Sequence, residues 1–296
     1  MSWVFYILFA NTFFSISDLF DKFFNSKKIK SVYTFGVLVN LAYFIPIFIT
    51  SLFLWKTFVF GTPMIWALVG QIFYFFMWIF FWKAIKTGEI SRVISIFFTQ
   101  PVFSAILGIL IFKEIVLPVK WLGIILITIG GIFSSFENKR VKKGFDKVYL
   151  FAFISAIFAL FGNIISKYAM IKIPPLTVLL IQFYGSFLLY GLFLLNKNIF
   201  NEVKNNLVGK KSFYIIFIRT LINYAGNCFF VLSLSAGPIS LVSALNSTQP
   251  LFILVFSTLA TLFFPKIIKE KIDKANLTIK ISAAVLIVLG AIIVSV

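Results

Sequence analysis

Two glutamine–proline pairs, Gln100-Pro101 and Gln249-Pro250, stand inside long, mainly apolar runs. A proline within a helix leaves a backbone carbonyl without its donor, which is tolerated where the helix lines a cavity. The adjacent glutamine offers both a donor and an acceptor. The plainer alternative is a structural kink, because proline is common in membrane helices. Asn246, with Ser243 and Ser247, adds polar groups to the second run. Near the amino terminus, Asp18 and Lys22 are spaced i and i+4, so they share a helical face and can pair. Asp18 then reads either as a substrate or proton group, or as half of an end-of-helix ion pair with Lys22 reaching for the surface. Asp21 lies closer to the boundary and reads as interfacial.

Two further polar stripes follow helical spacing. Gln71, Tyr74 and Trp78 fall at i, i+3 and i+7, and Arg219, Asn223 and Asn227 at i, i+4 and i+8, with Tyr224 beside them. Polar faces of this kind are costly against lipid and should look inward. Arg219 suits a carboxylate or phosphate on a substrate. Its alternative is an arginine at the membrane mouth, a few residues past Lys210 and Lys211, pairing with headgroups.

The elements that carry these residues are transmembrane helices. The chain of 296 residues is 61% hydrophobic and 12% charged, with a mean hydropathy of +1.05. A soluble domain of that size could not bury so much apolar surface. A span needs roughly 20 apolar residues, and by that rule about ten are expected. They run near Trp3–Phe24, Val32–Trp55, Pro63–Trp82, Ile90–Phe112, Lys120–Phe136, Val148–Met170, Leu176–Leu195, Phe213–Leu234, Ile239–Phe264 and Ala275–Val296. Met1–Phe24 lacks a basic leader and a small-residue cleavage site and contains Asp18 and Asp21, so it is expected to remain as the first helix.

The charged linker Glu137–Lys147 divides the chain, and the two parts, 1–146 and 147–296, read as a duplication. Gly88-Glu89-Ile90-Ser91 with Thr99-Gln100-Pro101-Val102-Phe103 overlays Gly237-Pro238-Ile239-Ser240 with Thr248-Gln249-Pro250-Leu251-Phe252 without a gap. Asp18 and Lys22 align with Asn163 and Lys167, Tyr74 and Trp78 with Asn223 and Asn227, and Lys113-Glu114 with Lys269-Glu270. With an odd number of helices per copy, equivalent helices must cross the membrane in opposite directions. The expected fold is therefore all-α: a polytopic membrane protein of ten transmembrane helices arranged as two inverted five-helix repeats. Basic residues favour one side by roughly four to one, which puts that side in the cytoplasm and both termini outside.

Composition also excludes chemistry. With no His and a single Cys, Cys228 in an apolar run, zinc catalysis, Ser-His triads and intrachain disulfides are ruled out. The net charge of +18 sits in short loops between spans, so positive-inside orientation accounts for it rather than nucleic acid. Asn246-Ser247-Thr248 and Asn276-Leu277-Thr278 match a glycosylation pattern but fall within or at the start of a span, and Gly209-Lys210-Lys211 lacks phosphate-loop spacing. Ser104 with Gly108, and Gly123, Gly130, Gly131 and Gly290, suit close helix packing.

The stretch from Gly88 to Phe103 with Glu114 and Gly123, its second copy from Gly237 to Phe252 with Glu270, and the terminal glycines resemble the EamA family of the drug/metabolite transporter superfamily. The resemblance spans nearly the whole chain. It implies a ten-helix carrier without ATP-binding parts or cofactors, whose cavity is formed mainly by helices 1, 3, 4, 6, 8 and 9. Many members are drawn with cytoplasmic termini, whereas the charges here place them outside. The expected partners are a small-molecule substrate and the lipid bilayer of the plasma membrane, with no nucleic acid, and the chain is expected to act as a monomer, a dimer being the alternative. The expected activity is secondary transport of small organic metabolites such as amino acids. Exchange of phosphorylated or nucleotide-linked sugars and lipid handling are the alternatives. The expected substrate-binding set is Asp18, Gln71, Tyr74, Trp78, Gln100, Asn163, Arg219, Asn223, Asn227, Asn246 and Gln249, with helix kinks at Pro101 and Pro250 and no metal or catalytic residue.

Overall fold

In a computed structural model, the structure describes residues 2–27, 29, 31–87, 93, 96, 100–133, 147–208, 210–263 and 274–295. All regular elements among them are helices: α1 Ser2–Lys27, α2 Val32–Leu54, α3 Thr62–Thr87, α4 Pro101–Phe112, α5 Pro118–Phe133, α6 Lys147–Met170, α7 Pro175–Gly191, α8 Lys197–Val208, α9 Lys210–Ala236, α10 Ile239–Asn246, α11 Gln249–Phe263 and α12 Lys274–Ser295. Seven stretches are long and apolar enough to cross a membrane. Pro101–Phe112, Pro118–Phe133 and Ile281–Ser295 are shorter apolar helices, and each falls in an expected span that the described residues cover in part. The outer surface carries Phe44, Phe53, Leu110, Leu188 and Ile281, all exposed, as expected of a wall facing lipid.

Helix ends follow local chemistry. Ser31 caps α2 by accepting from the Tyr33 N–H at 3.2 Å, and prolines open α4, α5 and α7, where the missing N–H costs nothing. The amphipathic α8 was not foreseen in the sequence. Asn196 caps it, accepting from the N–H groups of Asn198 and Ile199, and the helix buries Val203 while Thr34 donates to Glu202 at 2.7 Å.

The expected ninth span is not one helix. It is interrupted at Ser247–Thr248, so α10 ends just before the Gln249-Pro250 pair and α11 begins with it. Pro101 likewise opens α4, preceded by Gln100. The prolines therefore start helices rather than kink continuous ones. The reason is economy: a proline in the first helical turn sits where the N–H would lack an intrahelical partner anyway.

Helix pairing fixes the relation of the two copies. Trp3 meets Ser233, Ser17 meets Asn223 and Asp21 meets Arg219, so α1 runs antiparallel to α9. Trp66 meets Tyr168, Tyr74 meets Asn163 and Phe80 meets Phe151, so α3 runs antiparallel to α6. These are the same pair read from either copy, first helix against third. Helices α2 and α7 pair antiparallel through Asn40–Ser186 and, in the turn that follows α2, Thr57–Thr177. Helices α5 and α12 do so through Gly123–Gly290 and Gly130–Ile287. Equivalent helices that face each other across the molecule thus point in opposite senses.

Candidate functional site

Between these helices lies a cavity of about 140 Å³, lined by α1, α2, α3, α6, α7, α9, α10 and α11 together with Gln100. Its walls are aromatic over much of their area, with Phe14, Tyr43, Tyr74, Trp78, Phe183 and Tyr190 among them. Ten of the expected site residues reach it: Asp18, Gln71, Tyr74, Trp78, Gln100, Asn163, Arg219, Asn227, Asn246 and Gln249. Asn223 does not line it. The Asn223 carboxamide donates to Ser17 Oγ at 2.8 Å and accepts from Tyr43 and, at 2.8 Å, from Asn227, so it ties α9 to α1 and α2 behind the wall.

One stripe of α1 meets the break between α10 and α11. Asn11 donates to the Leu245 carbonyl at 2.9 Å and to Thr248 Oγ1 at 3.0 Å, and Ser15 donates to the Gln249 carbonyl at 3.3 Å. One turn further on, Gln249 Nε2 donates to Asp18 Oδ2 at 2.7 Å. Spacing of i, i+4 and i+7 puts all three α1 side chains on one face, where they satisfy backbone that the break leaves exposed. The expected Asp18–Lys22 pairing falls on a side chain outside the described ones.

Asp21, expected at the interface, is instead completely buried. Arg219 grips it through both forks, Nε to Oδ1 at 2.5 Å and Nη2 to Oδ2 at 2.6 Å, and Trp82 Nε1 adds a bond to Oδ2 at 3.2 Å. Asp21 is buried because α1 continues well past it and α9 brings a guanidinium to it from the other half of the chain. Arg219 is therefore neither at a headgroup-lined mouth nor a free anion clamp. Only its Nη1 lacks a partner.

On the opposite wall, Tyr74 donates to Asn163 Oδ1 at 2.7 Å, joining α3 to α6. Asn40, Gln182 and Ser186 also line the cavity, and none was singled out from sequence. Ser186 donates to Asn40 at 2.6 Å and Gln182 to Ser166 at 2.6 Å. The cost of a polar group against lipid, which argues that the Gln71, Tyr74 and Trp78 stripe looks inward, applies equally to Asn40 and Gln182 and would have found them. Among the described residues no group of His, Cys, Asp and Glu is placed to hold a metal ion.

A second polar cluster sits away from the cavity. Lys113 closes α4 in a left-handed conformation, φ 55°. Glu114 then crosses to the start of α10, accepting from the N–H groups of Ile239 at 2.6 Å and Ser240 at 3.1 Å and from Ser240 Oγ at 2.7 Å. Lys167 of α6 pairs with Glu114 at 3.4 Å and also donates to the Gly237 carbonyl.

The model of the EamA-like transporter family matches residues 1–136 and again 146–296. The chain belongs to the EamA-like transporter family. Its two matches make the EamA two-repeat architecture explicit, and membership makes it a multi-pass membrane protein of a family of transporters. A solved structure described only as "Crystal structure of protein" shares the EamA-like fold, with a TM-score of 0.68 and 13% identity over 98% of each chain. No curated protein matches this chain.

Proposed function

We propose that this protein is a secondary transporter of small organic metabolites such as amino acids, an exporter or exchanger in the plasma membrane that works by alternating access. The observation that carries the reading is the cavity itself: polar groups from both repeats converge on it at a discontinuous helix. Broken helices at a repeat interface are where carriers place substrate sites. In this reading ten spans form two inverted five-helix repeats, 1–146 and 147–296, with both termini outside, and a monomer suffices. Asp18, Gln71, Tyr74, Trp78, Gln100, Asn163, Arg219, Asn227, Asn246 and Gln249 contact the solute, and Asn223 supports them from behind. Asp18 is the group through which protons would couple.

The bidentate Asp21–Arg219 pair disfavours phosphorylated or nucleotide-linked sugars, because the guanidinium fork that would hold a phosphate is already filled. The test is efflux of a mixed metabolite pool from proteoliposomes, read by mass spectrometry with and without a pH gradient, beside a Gln100→Leu, Gln249→Leu variant. Selective loss of a few compounds from wild-type vesicles, abolished in the variant, is expected. Equal retention by both proteins would overturn the proposal and favour lipid handling.

A further inference from the structure

The charges and the unfilled hydrogen-bonding atoms of the cavity do not match a zwitterion. Of the described side chains lining it, only Asp18 and Arg219 are charged. Arg219 faces Asp21 through two short bonds, so its charge is neutralised within the protein. Asp18 is given a neutral partner, the carboxamide of Gln249. The cavity lining therefore carries one carboxylate in excess, in surroundings where an uncompensated charge is costly.

The unpartnered atoms have the same bias. Gln100 Oε1 and Asn246 Oδ1 are buried acceptors without a donor, and Tyr190 OH is a third polar atom without a partner. All three residues line the cavity. Together with the Asp18 carboxylate, acceptors from α1, α10 and the residue before α4 are left to be filled by something that carries N–H groups. An ammonium supplies up to three donors and the missing positive charge in one group. Aromatic side chains, Phe14, Tyr74 and Trp78 among them, line the same space and are suited to the hydrocarbon adjoining a cationic nitrogen. A ligand carboxylate has no such place: it would add a second negative charge and compete with Asp21 for Arg219. Arg219 Nη1, the one unpartnered donor of that pair, suits a neutral oxygen instead.

We propose that the cavity recognises small organic amines of net positive charge, the ammonium held by Asp18, Gln100 Oε1 and Asn246 Oδ1 and the body of the molecule by the aromatic wall. This rests on the carrier reading above and narrows its solute class from amino acids to their decarboxylated or otherwise cationic counterparts.

Matched probes test it on the full-length protein in nanodiscs, with binding read by thermal stabilisation and exchange read separately by counterflow in proteoliposomes. Phenethylamine, phenylalanine and 2-phenylethanol share one ring and differ in charge, and isoamylamine supplies a second amine without the ring. Phenethylamine is expected to bind at least about tenfold more tightly than the alcohol or the amino acid, the margin of a charge-assisted contact. Asp18→Asn, which keeps a partner for Gln249, is expected to erase the preference for phenethylamine over the alcohol. The wild-type probe series stands alone if the variant does not fold. Phenylalanine or the alcohol binding as well as phenethylamine, or neither amine binding, overturns the proposal. Exchange of phenylalanine without amine binding leaves the carrier reading standing and sinks this one. Amine binding that depends on Asp18 with no exchange of any solute does the reverse.

Discussion

At the scale of single residues, the chemistry depends on which buried groups are matched and which are left over. Asp21 and Arg219 are matched: each is almost wholly buried, and among the described residues each is the other's only charged partner at bonding distance. Removing one half of such a pair strands a charge out of water, whereas removing both leaves only a packing change. Asp21→Leu or Arg219→Met should therefore each destabilise the protein by about 3–5 kcal/mol, while the double variant carrying both substitutions should recover most of the loss. Chemical unfolding in mixed micelles checks this, and additive losses would show that the two side chains do not act as a pair. The sequence exposed these residues unevenly. A polar side chain in an apolar run is visible one residue at a time, which is why ten members of the expected set line the cavity. Partnership is not visible that way. Helical spacing offers Asp18 a pairing with Lys22 but says nothing of Gln249, which lies in the other half of the chain and reaches Asp18 only through tertiary packing.

At the scale of elements, glycines decide how closely helices approach, and the structure separates those that matter. A Cβ on Gly290 would stand 2.7 Å from the Gly123 carbonyl oxygen, and one on Gly123 would stand 2.9 Å from that of Gly290. Both obstacles are backbone, so α5 and α12 must move apart to admit a methyl group. A Cβ on Gly131 meets nothing within 4 Å. Gly290→Ala should thus lower stability by about 1–3 kcal/mol through overpacking. Gly131→Ala should raise it by up to about 1 kcal/mol through helix propensity. Thermal unfolding of the two variants in one detergent distinguishes them, and equal shifts would refute the packing argument. The sequence grouped all these glycines together, because periodicity shows that a residue is small but not which face it occupies. Helix type and approximate position were legible from hydropathy. The α10–α11 break was not, since nothing in Asn246-Ser247-Thr248 forbids a helix. Asn11 and Ser15 on α1 make the interruption tolerable, and they lie over 230 residues away in sequence.

At the scale of the whole molecule, antiparallel pairing of equivalent helices means that what closes one face has a counterpart of opposite sense in the other repeat. The described closure joins three elements: Glu114 beyond α4, Lys167 on α6 and the first N–H groups of α10. Lys22, Glu270 and Ser91 are the aligned residues of the other repeat, and they lie outside the described side chains. A carboxylate on two helix-terminal N–H groups and a lysine is a strong but local contact. None of its residues lines the cavity, so in the proposed cycle it would act on transport only by biasing which face is shut. In an alternating-access cycle that contact must break once per turnover. Holding it shut should stop exchange, while weakening it should change rate without changing which solutes are chosen. With Cys228 replaced by Ala, the chain has no other cysteine, so a Glu114→Cys, Ser240→Cys pair can be bridged by a short reducible cross-linker. The bridged protein is expected to lose counterflow and to regain it on reduction, with solute binding retained throughout. In the same assay Glu114→Gln, which keeps the shape and drops the charge, should alter the exchange rate but not the order of preference among solutes. Full exchange by the bridged protein would mean that this face does not open during transport, and the cavity would then have to be reached by another route.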